Sequence, residues 1–317
     1  MQMFAQRSVR RALLAVTTLA ALAVHSAMHA QSWPQESGRA YIKLSYGSST
    51  ASQQYTFDGR EKDYADNVSG NSFFDRSIYA YGELGLTNNV TLLAGLPYKR
   101  VIVRDAAYRY QTYAFGSAQV GARIGLKPFL GLDDAPLDAL AANVMLTIPT
   151  GYTRNYLPSA GAGQVDGELY LGYGRSFYPI DAYAQVGIGY RYRSTIYAFS
   201  HAVPCQDGVS KDCFADTQPE YGDEFTFGLD GGYTFKKIVF AGLMLRGDWA
   251  LKAPTVGFSV ANPIPTRQRF IKAGGSIAVF PFDGISVNAQ LLFTPYGLNT
   301  VKSVDLFLGI DYRPKFF

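Results

Sequence analysis

From Arg39 to the last residue, the sequence repeats one pattern, in which apolar residues alternate with polar or small ones over segments of about ten to fifteen residues. In the clearest segment, 118–128, the even positions up to Leu126 are apolar and the odd positions are Gln, Gly, Arg or Lys. In a β-strand, this alternation places the two sets of side chains on opposite faces. Strands that face lipid on one side and a polar lumen on the other are typical of membrane β-barrels. The pattern therefore predicts an all-β fold, a single antiparallel transmembrane β-barrel.

Twelve strands are predicted, near residues 39–49, 72–86, 90–104, 115–128, 138–149, 166–177, 181–193, 221–233, 238–252, 267–280, 285–296 and 303–316. The connections alternate in length: long ones lie at 50–71, 105–114, 150–165, 194–220 and 253–266, with short ones between them and 297–302 as a short exception. Bacterial barrels have an even number of strands, short periplasmic turns and long outside loops. We therefore expect both termini in the periplasm. A soluble β-sandwich is the alternative, but its outward faces would be polar.

The first thirty residues have the order of a secretory signal peptide. Arg7, Arg10 and Arg11 precede a mostly apolar run from Ala12 to Val24, and small residues follow up to Ala30. The run is shorter than the roughly 20 residues that a membrane-spanning helix needs. We expect residues 1–30 to be removed and residues 31–317 to form the barrel in the cell outer membrane of a Gram-negative bacterium. An uncleaved membrane anchor is the alternative.

The basic character of the chain comes mostly from this leader. The formal net charge of the whole chain is +4, and removing the three leader arginines reduces it to +1. A nucleic-acid-binding domain needs clustered Lys and Arg. The composition therefore excludes a nucleic-acid partner.

The last predicted strand ends on a pair of phenylalanines, Phe316 and Phe317. Apolar residues from Val304 to Tyr312 alternate with Asp305, Phe307, Gly309 and Asp311. Such an end resembles the signal by which outer-membrane proteins are recognised for assembly. We therefore expect the barrel-assembly machinery and outer-membrane lipids to be partners.

The polar faces of the strands carry charges of both signs, which predicts a hydrated lumen crossed by ion pairs. These charges either brace the wall or tune the passage of solutes, as rings of charge do in other channels. The pore-lining candidates are Glu83, Lys99, Arg123, Lys127, Glu168, Arg191, Arg193, Asp230, Arg246, Asp248 and Lys272. Aromatic residues at the opposite faces predict girdles at the membrane interfaces: Tyr46, Tyr98, Tyr190, Tyr192, Phe225, Tyr233, Trp249 and Tyr312.

The two cysteines, Cys205 and Cys213, lie in one predicted loop. A close pair in an exported chain predicts a disulfide. A metal site would need two further ligands, and His201 is the only histidine nearby. We therefore expect a disulfide, no metal and no cofactor.

Catalysis has little support in the sequence. After the leader, His201 is the only histidine, and it has no serine and acid at a spacing that predicts a triad. The acidic pair Asp133 and Asp134 lies in a predicted periplasmic turn, away from the cell surface. The Gly-rich stretch 161–167 lacks the Gly-Lys-Ser/Thr of a phosphate-binding loop. We therefore expect no enzyme.

Two stretches resemble outer-membrane proteins grouped with the phenol meta-pathway transporters. One is 83–92, with the sequence ELGLTNNVTL, followed by Gly-Leu-Pro-Tyr at 95–98. The other is Ile-Pro-Thr-Gly at 148–151, followed by GAGQVDGEL at 161–169 and Gly-Tyr-Gly at 172–174. That family is similar to the fatty-acid and toluene transporters, which implies uptake of small hydrophobic or aromatic compounds. Only residues 31–38 precede the first predicted strand, so we expect no N-terminal plug domain.

Three functions remain open at this point. The leading hypothesis is a channel for passive uptake of a small-molecule solute. The second is a structural or binding barrel with a plugged lumen that acts through its outside loops. The third, an enzyme acting on outer-leaflet lipid, has His201 as its sole candidate base.

Overall fold

The computed structural model describes residues 32–65, 68–132, 137–152, 158–197, 221–251 and 267–317. Within these ranges the chain forms one antiparallel sheet that closes on itself, since the last strand pairs with the first. Twelve strands make up the closed wall, which confirms the predicted fold. Full closure leaves no unpaired strand edge in the wall.

The strands are β1 (Ala40–Tyr55), β2 (Glu61–Asp63), β3 (Phe73–Thr87), β4 (Val90–Arg104), β5 (Arg109–Phe115), β6 (Ser117–Gly125), β7 (Asp138–Pro149), β8 (Gln164–Ser176), β9 (Ala182–Tyr197), β10 (Glu224–Phe235), β11 (Val239–Ala250), β12 (Arg269–Phe282), β13 (Ile285–Leu298) and β14 (Thr300–Tyr312). A single-turn helix, α1 (Lys127–Leu130), follows β6. None of the helices in the described part of the chain is long and apolar enough to cross a membrane.

The seam between β1 and β14 runs from the Ile42–Tyr312 pair to the Tyr55–Thr300 pair. It continues beyond the strands, because the backbone N–H of Phe316 donates to the carbonyl of Gly38 at 2.8 Å. We call the end of the barrel at which β1 begins and β14 ends the turn end, and the opposite end the loop end. The short connections after β3, β6, β8, β10 and β12 lie at the turn end.

Two predicted loops contain strands, and both differences lie at the loop end. The predicted loop 50–71 holds the end of β1 and the short strand β2, which pair with each other. The predicted loop 105–114 holds β5, which pairs with the second half of β4. The prediction of a loop was therefore wrong over β5. Polar and aromatic residues alternate in this strand with little contrast between its two faces, which is why the pattern did not indicate a strand.

The predicted strand 115–128 is interrupted where it crosses Pro97 of β4. The first half of β4 pairs with β6 and the second half pairs with β5. Between them, the backbone N–H of Gly116 donates to the carbonyl of Pro97 at 2.8 Å. Proline has no N–H to return, so the ladder is weakened at this point.

The loops at the loop end pack back onto the barrel. Tyr152, after β7, is buried, and its hydroxyl lies 2.9 Å from the Ser117 Oγ and accepts from the backbone N–H of Gly163 at 3.0 Å. Burial raises the pKa of the Tyr152 hydroxyl. Between β13 and β14, Asn299 adopts a positive φ of 49° and donates its backbone N–H to the carbonyl of Thr56. These contacts hold the loops against the strands at the loop end.

The outer surface of the barrel is apolar between two aromatic bands. Leucine, isoleucine and valine side chains stand exposed on the outward faces of the strands, as with Leu44, Val144 and Ile188. An exposed apolar band of this kind is the lipid-facing surface of a membrane barrel. On this surface Tyr98 packs edge-on against Phe115 with ring centroids 5.2 Å apart.

Aromatic pairs also mark the height of the girdles. At the turn end Tyr233 packs on Phe235 at 4.6 Å, and at the loop end Trp249 stacks on Tyr296 at 5.8 Å. Tyr46 is an exception among the predicted girdle residues. It lies opposite Ile78 and Leu308 in mid-strand, because β1 is longer than predicted.

Candidate functional site: the barrel lumen

The structure brings most of the predicted pore-lining charges together inside the barrel. Those whose side chains point into the lumen are Glu83, Lys99, Arg123, Glu168, Arg191, Arg193, Asp230, Arg246, Asp248 and Lys272. Lys127 lies outside this set. It begins helix α1 at the turn end and donates to the backbone carbonyl of Asp138 at 3.0 Å, because β6 ends at Gly125, three residues earlier than predicted.

The most enclosed of these charges are Arg123 and Glu83, whose side chains are both 0% exposed. Two parallel hydrogen bonds join them: Arg123 Nη1 to Glu83 Oε2 at 3.0 Å, and Nη2 to Oε1 at 3.1 Å. Arg123 Nε also donates to Asn143 Oδ1 at 2.9 Å, and the Tyr81 hydroxyl donates to Glu83 Oε1 at 2.6 Å. A buried ion pair persists only when its remaining donors and acceptors are satisfied in this way.

Residues 32–37, which we call the N-terminal segment, run from the lumen to the turn end, and residues 32–35 lie against this pair. Gln35 Nε2 donates to Glu83 Oε2 at 2.7 Å, and Arg123 Nη1 donates to the carbonyl of Trp33 at 3.1 Å. Deeper in the barrel, the backbone N–H of Ser32 donates to Gln185 Oε1 at 3.1 Å. The sequence predicted no plug domain, and the structure shows a short extended segment that occupies part of the lumen.

Small residues on β8 make room for the N-terminal segment. A Cβ atom on Gly174 would lie 2.4 Å from the Trp33 ring, and one on Gly172 would lie 2.8 Å from the Ser32 hydroxyl. The Trp33 ring also packs edge-on against Tyr183 at 5.8 Å. The sequence signal for this arrangement is the large apolar Trp33 ahead of the first strand, together with paired glycines on an inward face.

A second charged network lies toward the loop end, on β8 to β11. Arg191 contacts Glu168 at 3.1 Å, Glu224 at 2.6 Å and Asp248 at 3.1 Å. Arg193 contacts Glu224 at 2.6 Å and Asp166 at 3.1 Å. Two arginines thus meet four carboxylates, and this network links β8, β9, β10 and β11.

Two further inward cations are paired with carboxylates. Lys99 lies 2.7 Å from Asp75 on the neighbouring strand β3. Lys272 on β12 contacts Asp305 on β14, which also accepts from the hydroxyl of Ser49 at 2.6 Å. These pairs link strands that lie one or two places apart in the wall.

An apolar layer crosses the lumen. It is one packed cluster of inward side chains: Tyr41, Tyr79, Tyr81, Leu93, Met145, Leu292 and Phe307, with Met244 against them. Met145 is on β7 and Leu292 is on β13, six strands apart in the ring of twelve, so the layer joins opposite walls. Apolar constrictions of this kind can gate a channel by excluding water.

Below the apolar layer, the turn end contains a cavity of about 340 Å³. Its wall is formed by strands β9 to β14 and β1, opposite the Arg123–Glu83 pair. Lys43, Arg246, Arg313, Asp230 and Asp311 supply the charges of its lining. Four aromatic side chains also line it: Tyr41, Tyr183, Phe240 and Phe280.

Several residues of the lumen were absent from the predicted set. Leu292 is the one apolar residue on the polar face of β13, and Phe307 is the one aromatic residue on the polar face of β14. Each exception to the alternation therefore marked a member of the apolar layer. Tyr41 and Phe240 gave no comparable signal, since their role depends on how the strands tilt.

Other predicted features lie outside the described residues. These are the signal peptide, Cys205, Cys213, His201, Asp133 and Asp134. Within the described ranges, there is no group of three His, Cys, Asp or Glu side chains that could hold a metal ion.

No protein-family model and no curated protein matches the sequence. The fold is similar to that of the COG4313 outer membrane channel from Pseudomonas putida F1, with a TM-score of 0.67 and 17% identity over 92% of this chain and 100% of that chain. It is also similar to the NanC porin, with a TM-score of 0.50 and 7% identity over 86% of this chain and 98% of that chain. At these identities, the likeness shows a shared barrel fold. Membership of the phenol meta-pathway group stays a prediction.

Proposed function

We propose that this chain is an outer-membrane channel for small molecules, inserted with both termini in the periplasm. The observation that carries the proposal is the cavity of about 340 Å³ inside a closed, lipid-facing barrel. A barrel that served only as a scaffold would gain by filling this space with packed side chains. The structural similarity to the COG4313 channel and the NanC porin is consistent with the proposal.

Passage through this barrel requires a change at the apolar layer. The layer lies between the cavity and the charged network at the loop end, so a solute has to displace or pass it. Met145 and Met244 have flexible unbranched side chains that can change rotamer without a backbone shift. We therefore expect a small, fluctuating conductance rather than a wide, constantly open pore.

Single-channel recording in planar bilayers tests the channel. The full chain should give discrete current steps, and replacing residues 33–36 with glycine and serine should enlarge them, because the N-terminal segment then no longer fills its half of the lumen. A same-length Gly-Ser replacement of residues 57–60, in the β1–β2 hairpin, is the control. If neither protein conducts ions, and liposomes containing them take up no solute, the channel proposal fails.

A second candidate function is a structural or binding barrel that acts through its outside loops. The filled half of the lumen, with its fully enclosed Arg123–Glu83 pair, favours this alternative. The same recordings separate the two, since a plugged barrel would stay silent with its N-terminal segment intact. An enzyme remains without support, because no catalytic constellation could be argued from the sequence.

We further propose several features that the sequence predicts. Residues 1–30 are a cleaved signal peptide, and Cys205 and Cys213 form a disulfide in a loop outside the cell. The C-terminal strand is read by the barrel-assembly machinery. The solutes are small hydrophobic or aromatic compounds, as the resemblance to the phenol meta-pathway transporters implies.

A further inference from the structure

The cavity at the turn end combines aromatic surfaces with positively charged side chains. Tyr183 and Phe240 are stacked, with ring centroids 5.9 Å apart and an interplanar angle of 11°. The Arg313 guanidinium lies 5.7 Å from the Tyr41 ring and 5.8 Å from the Phe280 ring. Flat aromatic rings beside a charged group are a usual lining for sites that take a small flat ligand.

The two carboxylates of the cavity are already occupied. Asp230 accepts from the Tyr183 hydroxyl at 3.1 Å and from Gln185 Nε2 at 2.9 Å. Asp311 accepts from the Ser286 hydroxyl and from Asn288 Nδ2, both at 2.9 Å. Asp311 Oδ1 accepts no hydrogen bond from the described residues but faces the Lys43 ammonium at 3.8 Å, so each carboxylate has a partner within the chain.

Arg313 is less well compensated. Within the described ranges, no carboxylate lies within ion-pair distance of Arg313, whose guanidinium lies over the two aromatic rings. Lys43 donates to Asn288 Oδ1 at 3.0 Å and lies 3.8 Å from Asp311. The lining has three cations and two carboxylates, a formal charge of +1, and Arg246 among the cations also feels the nearby carboxylates of Asp230 and Asp248.

We propose that this cavity binds a small aromatic carboxylate of the size of a substituted benzoate. The carboxylate lies at Arg313 and Lys43, and the ring packs against Tyr183 and Phe240. The cavity volume of about 340 Å³ suits one ring with its substituents. The inference rests on the proposed channel function, in that it names the class of solute that the lumen holds.

Isothermal titration of the purified full chain in detergent tests the site, with benzoate, benzyl alcohol and cyclohexanecarboxylate as probes. Benzoate should bind more tightly than either of the others, because it alone offers both the charge and the flat ring. Arg313→Gln should weaken benzoate binding by roughly ten-fold, the loss expected for one charge-assisted contact. The same substitution should leave benzyl alcohol binding unchanged.

Further variants separate the charge from the ring and guard against misfolding. Phe240→Leu should reduce the preference for benzoate over cyclohexanecarboxylate. Lys43→Gln tests the second cation if Arg313→Gln fails to give the heat-modifiable band of a folded barrel. Lys302→Gln is the control. Lys302 is a cation on β14 at the loop end, away from the cavity, so its substitution should leave benzoate binding unchanged.

The inference is overturned if benzoate binds no better than benzyl alcohol, or if Arg313→Gln and Lys43→Gln both bind benzoate like the unaltered chain. Bilayer recordings keep this result separate from the fate of the channel. Conductance without selective benzoate binding would remove the site and leave the channel. Selective benzoate binding without conductance would remove the channel and leave the site.

Discussion

The two halves of the lumen are built from the same kind of strand but are filled differently. On the side of β3 to β8, the N-terminal segment and the tyrosines enclose the Arg123–Glu83 pair completely. On the side of β9 to β14 and β1, charges such as Lys43 and Asp311 border a cavity. Inward charge therefore does not by itself indicate an open lumen. What matters is whether another part of the chain covers it.

The difference also separates two roles for ion pairs. An enclosed pair holds its neighbours in place and is costly to break, because the remaining charge is left buried. A pair beside a water-filled cavity can be rehydrated when one partner is lost. The following substitutions measure this contrast, from the largest expected effect to the smallest.

Breaking the enclosed pair should have the largest effect. Arg123→Met should lower the free energy of unfolding by about 3–5 kcal/mol, because Glu83 is left without its partner. Lys43→Met beside the cavity should cost only about 1–2 kcal/mol, since Asp311 keeps the Ser286 and Asn288 donors. Urea unfolding in detergent micelles compares them. Equal losses would show that the two halves do not differ as described.

Leu292 tests where the two halves meet, since it belongs to the layer that joins opposite walls. Leu292→Ala should cost about 2–5 kcal/mol and open a void in the apolar layer. If the layer limits passage, the single-channel conductance should rise as well. A matched change on the lipid face, Leu291→Ala, should leave the conductance as it is. A rise in the control alone would assign the constriction elsewhere.

A substitution at Gly174 sharpens the role of the N-terminal segment. A methyl group there would lie 2.4 Å from the Trp33 ring, so Gly174→Ala should cost about 1–3 kcal/mol by overpacking. At Gly167 on the same strand, by contrast, a methyl group would meet only Leu146 Cδ2 at 3.9 Å, and Gly167→Ala should be nearly neutral. Thermal unfolding of the two variants provides the comparison. A neutral Gly174→Ala would mean that Trp33 is not held against β8.

The smallest effect is expected at the exposed pair between Lys302 and Glu61. Lys302→Ala should change the free energy of unfolding by no more than about 1 kcal/mol, since exposed ion pairs contribute little in water. Urea unfolding at low and high salt measures this contribution. A loss comparable to that of Lys43→Met would mean that exposure does not set the scale of these effects.

The sequence predicted the barrel because its alternation has a physical cause that acts locally. Each strand must present apolar side chains to lipid and polar ones to the lumen, so the pattern is legible residue by residue. The strand β5 was missed because residues 109–115 lie where the wall extends beyond the apolar band and the contrast fades. Long, regular strands such as β8 were within a few residues of their observed bounds.

The interior was less predictable, because it depends on contacts between distant parts of the chain. The sequence indicated that Arg123 and Glu83 face inward, but not that Gln35 and Trp33 close over them. Nor does alternation reveal the tilt of the strands, which decides that Tyr41 and Phe240 line one cavity. The exceptions Leu292 and Phe307 were visible, and in this barrel an apolar residue on a polar face marked the constriction.

The seam between β1 and β14 sets the order in which this molecule can fold. Its paired residues, such as Ile42 and Tyr312, come from opposite ends of the chain. Forming the seam therefore closes a longer loop of chain than any other strand pairing in the wall. Adjacent hairpins can form one after another, but the cylinder is complete only when the last strand arrives. Until that moment two strand edges stand open and able to pair with another chain. The slow step of folding is therefore the one that ends with the pairing of β14 and β1. Until that pairing forms, a partner must protect the chain from aggregation.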